Sequence, residues 1–113
     1  VHGRPVLWRA NILGWDILRN HATAFVSCPD WVTARGMRTL GAPEKGDPRV
    51  ISGESGAVTT GLVETLMLDP EYAELKELIG LDKTSSVLCF STEGDTDPDQ
   101  YRRIVWEGEY PTC

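Results

Sequence analysis

Val50-Ile51-Ser52-Gly53-Glu54-Ser55-Gly56-Ala57 decides how this chain is read, and a later stretch repeats its design: Val87-Leu88-Cys89-Phe90-Ser91-Thr92-Glu93-Gly94-Asp95-Thr96-Asp97. In each, a β-branched or aromatic run stops abruptly at small, hydroxyl and acidic residues, and a helical pattern follows. Strand, turn and helix in that order is the grammar of α/β proteins. In such sheets ligands sit beyond the carboxyl ends of the strands. A ligand at these two turns would meet hydroxyls, carboxylates and the free N–H groups of helix starts.

The rest of the chain fits around them. Ala24-Phe25-Val26-Ser27-Cys28 reads as a third buried strand. Before it, Trp15, Leu18 and Ala22 lie about a turn apart, which suits a short amphipathic helix from Gly14 to about Asn20-His21. After it, Asp30 is placed to cap a helix over 31–40, with Val32, Gly36, Met37 and Leu40 inward and Gly41 at C′. Gly36 inside that helix costs about 1 kcal/mol relative to alanine, which close approach of another backbone would offset.

The helix after Gly56 should reach Leu68, with Val58, Leu62 and Leu66 on one side and the small Ala57 and Gly61 beside them. Asp69-Pro70-Glu71 supplies a cap, a proline at N1 and an acid for the next helix, expected to bury Tyr72, Leu75, Leu78 and Ile79 and to stop at Gly80. Asp97-Pro98-Asp99-Gln100 repeats that logic for a last helix carrying Tyr101, Ile104 and Val105 inward. The expected fold is α/β: a partial three-layer sandwich of short, mostly parallel strands with flanking helices. Residues 1–113 read as one unit, with a divergent stretch over 1–13 and a tail over 107–113.

Composition narrows the function. The net charge is −6 and no Lys/Arg cluster occurs, which argues against nucleic acid or an anionic membrane as partner. No apolar run is long enough to span a bilayer and no signal peptide opens the chain, so a cytoplasmic location is expected. Cys28, Cys89 and Cys113 are odd in number and widely spaced, the wrong pattern for a disulfide framework or a zinc site. Cys28 and Cys89 read instead as small buried hydrophobes. With only His2 and His21 in the chain, a Ser-His-Asp triad is hard to build.

Several motifs start and fail. Ser55 lacks the second glycine of a nucleophile elbow, because Ala57 occupies that place. Gly56 to Gly61 has phosphate-loop spacing, but Leu62-Val63 stands where Lys-Ser/Thr is needed. Asp95, Asp97 and Asp99 alternate like a calcium loop, yet Gln100 and Trp106 fill its glycine and glutamate positions. Ser91 and Thr92 remain. A hydroxyl just past a strand end can donate to a ring nitrogen or accept from it; equally, it can bond its own turn.

At these residues the chain resembles the C-terminal portion of the diaminopropionate ammonia-lyases, pyridoxal-phosphate enzymes of the tryptophan-synthase β-like (fold-type II) superfamily. The resemblance is carried by Gly14-Trp15-Asp16-Ile17-Leu18-Arg19, by 25–32, by Gly36-Met37-Arg38, by 47–58 and by 91–98. It implies α,β-elimination of 2,3-diaminopropionate to pyruvate and ammonia, with pyridoxal 5′-phosphate as cofactor, a small amino acid as substrate and a homo-oligomeric scaffold. It assigns Ser91 to the pyridine nitrogen and places Thr92, Gly53 and Glu54 beside the cofactor. The family's Schiff-base lysine, proton-transfer aspartates and phosphate loop lie upstream of the matched region. No catalytic residue is therefore assigned, covalent cofactor binding is not expected, and the chain is read as a truncated or remnant form inactive by itself. A different class remains open: a non-catalytic α/β module binding a small anion or a partner protein, or a remnant without function.

Overall fold

Two glycines set the centre of the structure. The computed structural model describes residues 12–112, so most of the 1–13 stretch, and Cys113, lie outside the described residues. Helix α1 spans Ile12–His21, α2 Asp30–Gly41, α3 Glu54–Leu68, α4 Ala73–Ile79 and α5 Pro98–Val105, with a 3₁₀ turn at Pro70–Tyr72 leading into α4. A Cβ on Gly36 of α2 would stand 2.1 Å from the Ala57 carbonyl oxygen, and one on Gly61 of α3 would stand 1.9 Å from that of Val32. The helices therefore meet backbone to backbone, the close approach that Gly36 predicts.

That contact corrects the expected inner face of α3. Its buried residues are Gly56, Ala57, Gly61, Thr65 and Leu66, while Val58 and Leu62 are only half-buried. Small side chains face α2 because only they admit its backbone. On α2 the expected face holds, with Val32, Ala34, Gly36 and Met37 buried and Leu40 packed against the core. The ends shift slightly. Asp30 is the first helical residue, preceded by Pro29, and Gly41 is the last, with Ala42 as cap at φ −138°. Gly41 does not adopt the left-handed C′ conformation.

Helix α5 closes the core from one side. The Asp97 carboxylate accepts from the Gln100 N–H at 3.2 Å, as the capping pattern predicts. Tyr101 and Ile104 are buried against Ala34, Met37 and Ala57, with Val105 and Tyr110 at the margin. The fully enclosed Met37 and Ile104 side chains each contribute about 1.5–3 kcal/mol of apolar burial. Beyond α5, Arg38 donates to the carbonyls of Ile104, Glu109 and Tyr110 at 3.0–3.1 Å and ties 109–110 to α2. Burial holds the Arg38 guanidinium below its ordinary value, partly countered by Glu64.

Asp69 is not a side-chain cap. Its carboxylate accepts from Arg35 at 3.2–3.3 Å, and Arg35 also pairs with Glu64 and donates to the Thr65 hydroxyl at 3.2 Å. Gly80, at φ 85°, ends α4 as expected, but α4 buries little and Leu78 is 81% exposed.

The largest correction concerns the sheet: among the described residues no strand forms. The runs at 24–28, 50–52 and 87–90 lie outside any ladder. A strand is stable only when a neighbour satisfies its N–H and C=O groups, and three short runs supply too few partners. Their large apolar side chains stay open, with Phe25, Leu88 and Phe90 at 65%, 78% and 71% exposure, although Ser52 at the end of the 50–52 run is enclosed. Cys28 and Cys89 are half-buried rather than enclosed, and burial pushes the Cys28 thiol up. α1 likewise buries no residue and touches the 24–28 run through Trp15 and Phe25, whose rings are 6.2 Å apart.

Candidate functional site

The two turns quoted at the outset meet. The Gly53 N–H donates to the Glu93 carbonyl at 3.0 Å, bridging segments forty residues apart in the sequence. Beside it the Ser91 hydroxyl donates to the Ser52 hydroxyl at 3.1 Å, and Ser52 donates to the Gly53 carbonyl at 3.0 Å. That carbonyl also accepts from the Ala57 N–H at 3.1 Å, the first helical bond of α3. Gly56 seals the junction. A Cβ there would meet the Ser52 Oγ at 2.6 Å, the Ser91 Cα at 2.9 Å and the Thr92 nitrogen at 3.0 Å. No other residue type lets the second turn lie this close to the start of α3.

The four candidate cofactor residues, Ser91, Thr92, Gly53 and Glu54, lie at this junction. Ser91 and Thr92 are exposed on its rim; Gly53 and Glu54 are half-buried at the entrance to α3. Gly53 is crowded as well, because a Cβ would meet the Glu93 Cγ at 2.6 Å. Sequence reasoning overlooked Ser52, which is fully buried and bonds Ser91 directly. Its signal is positional: it is the last residue of the 50–52 run, and a hydroxyl there needs a partner when the run is enclosed.

The electrostatics are one-sided. Glu54 titrates above its ordinary range, first because of burial and then because Asp30, Asp97 and Glu93 crowd it with like charge. Glu93 Oε1 is buried without a hydrogen-bond partner. The cavity between the second turn and α5, lined by Met37, Glu54, Asp95, Asp97 and Tyr101 among others, measures only ≈ 40 Å³. That is room for about one water. Among the described residues no group of three His, Cys, Asp or Glu is placed to hold a metal. No helix among them is long and apolar enough to cross a membrane.

These features define what a flat heteroaromatic ligand would find here. Ser91 offers a neutral hydroxyl at the rim, glycines allow the turns to pack without side chains between them, and the charged groups around the junction are carboxylates. A ring nitrogen fits that donor set, whereas a phosphate dianion beside Glu54, Glu93, Asp95 and Asp97 would be repelled.

The chain matches the C-terminal quarter of diaminopropionate ammonia-lyase. It is 54% identical over 100 residues to the enzyme named so in Escherichia coli, covering 88% of this chain and 25% of that protein. The Salmonella typhimurium enzyme is 46% identical over 99 residues, covering 87% and 24%. A crystal structure of the Escherichia coli enzyme with D-serine superposes with a TM-score of 0.85 at 52% identity, over 91% of this chain and 26% of that one. A second, in complex with an aminoacrylate-PLP azomethine reaction intermediate, also gives 0.85. The chain thus spans about a quarter of the length of these relatives. No family model matches it.

Proposed function

We propose that this chain forms the floor of a pyridoxal-phosphate pocket in a diaminopropionate ammonia-lyase, against which the ring end of the cofactor rests. The observation that carries the reading is the Ser91–Ser52 contact at 3.1 Å, which holds a neutral hydroxyl at the rim of a glycine-lined junction. Bound pyridoxal phosphate would supply an electron sink for elimination of ammonia from 2,3-diaminopropionate.

The work of this chain is positioning. Ser91 holds a proton or a lone pair at the ring nitrogen without forcing a charge on it. Thr92 lies next to it on the rim, and Gly53 and Glu54 shape the entrance to α3. The carboxylates favour the ring end here and direct the phosphate elsewhere. A lysine amine and a phosphate-binding loop would come from polypeptide equivalent to the upstream part of the relatives. In that setting the runs at 24–28, 50–52 and 87–90 become strands, covering the apolar side chains now exposed. The finished unit associates into a homo-oligomer.

The reading is tested by co-expressing this chain with the part of the Escherichia coli enzyme upstream of the matched quarter. The expected result is a complex that keeps pyridoxal phosphate through gel filtration and releases ammonia from 2,3-diaminopropionate, while the chain alone does neither. A complex that assembles but retains no cofactor overturns the assignment. An anion-binding module would instead bind inorganic phosphate through the chain alone.

A further inference from the structure

We propose that Ser52 is a positioning residue that holds the Ser91 hydroxyl oxygen in one rotamer, acting through a two-hydroxyl relay whose proton direction can invert. The inference rests on the pocket-floor reading and adds a residue to it. Ser52 is fully buried and cannot touch a ligand. Its hydroxyl lies between two partners: it accepts from Ser91 at 3.1 Å and donates to the Gly53 carbonyl at 3.0 Å.

A hydroxyl has one proton to give. Because Ser52 gives its proton to Gly53, it can only accept from Ser91, so the Ser91 proton points inward and its remaining lone pair faces the rim. In this state Ser91 can accept a hydrogen bond from a protonated ring nitrogen. The opposite state is also open. If Ser52 turns its proton to Ser91, Ser91 can donate outward to an unprotonated nitrogen. The Gly53 carbonyl is not abandoned by that turn, because the Ala57 N–H still bonds it at 3.1 Å. The relay therefore inverts with no buried carbonyl left unpaired. Its atoms are held in register by the crowding at Gly56, whose missing Cβ would fall 2.6 Å from the Ser52 Oγ.

Two measurements test this. In the isolated chain, labelled for NMR, the Hα–Hβ couplings of Ser91 should report one rotamer, and Ser52→Ala should average them. Averaged couplings in the unaltered chain, or unchanged couplings in Ser52→Ala, overturn the proposal; the first of these needs no variant to fold. In the co-expressed complex, the affinity for pyridoxal phosphate is read for Ser52→Ala, Ser91→Ala and the double variant. Ser52→Ala should weaken binding several-fold when Ser91 is present and have no effect once Ser91 is alanine. Equal losses in both backgrounds mean that Ser52 is merely structural. If Ser91→Ala itself changes neither affinity nor the cofactor's absorbance, it is the pocket-floor reading that fails, while the NMR result still decides whether Ser52 orients Ser91.

Discussion

Arg35 ties α2 to the C-terminal end of α3. It joins Glu64, Thr65 and Asp69 at one end of the α2–α3 pair, its side chain only 16% exposed. Removing it leaves two partly buried carboxylates without their cation, so Arg35→Ala should cost about 3 kcal/mol, read as a lower urea midpoint. Glu54 makes the opposite contribution at neutral pH. Burial and like charges raise its folded value above the unfolded one, so its stabilising contribution is complete below the unfolded value and disappears as pH rises through the folded value. Through this group the chain gains stability on acidification from neutrality. Glu54→Gln should therefore raise the melting temperature at pH 7 and flatten its dependence on pH between neutrality and the carboxylate range. A steeper dependence in the variant would refute the assignment.

At the scale of elements, the crossing of α2 and α3 is the least forgiving feature. Gly36→Ala improves helix propensity by about 1 kcal/mol, yet its methyl group would lie 2.1 Å from a backbone oxygen that has no freedom to retreat. Forced separation of the helices should dominate, giving a net loss of about 2 kcal/mol in chemical denaturation. A stabilised Gly36→Ala would mean that the helices do not meet at Gly36 and Gly61. Much at this scale is legible in the residues. Asp97-Pro98 announces α5, Gly80 ends α4, and Gly36 announces a close contact. Asp69 misleads because its capping pattern is local, whereas the Arg35 that claims its carboxylate is thirty-four residues away. Val58 and Leu62 mislead for a related reason: periodicity identifies an apolar stripe, but the partner's shape decides which stripe is covered.

Across the described residues, the contrast lies between a packed helical half and strand-like runs that form no ladder. The runs at 24–28, 50–52 and 87–90 carry the composition of buried strands, but strand formation depends on neighbours that local sequence cannot supply. The candidate site was more legible than the sheet. Its turn residues are recognisable by type, and the Gly53–Glu93 bond shows that the two turns meet even without a ladder between them. Ser52 stayed hidden because its role depends on a contact across thirty-nine residues.

The most direct measurement of the pocket-floor assignment is the nitrogen-15 shift of the ring nitrogen of labelled pyridoxal phosphate bound to the co-expressed complex. With Ser91 at that nitrogen, Ser91→Ala should displace the resonance and Thr92→Ala should move it less. A resonance that stays in place when Ser91 loses its hydroxyl would contradict the assignment.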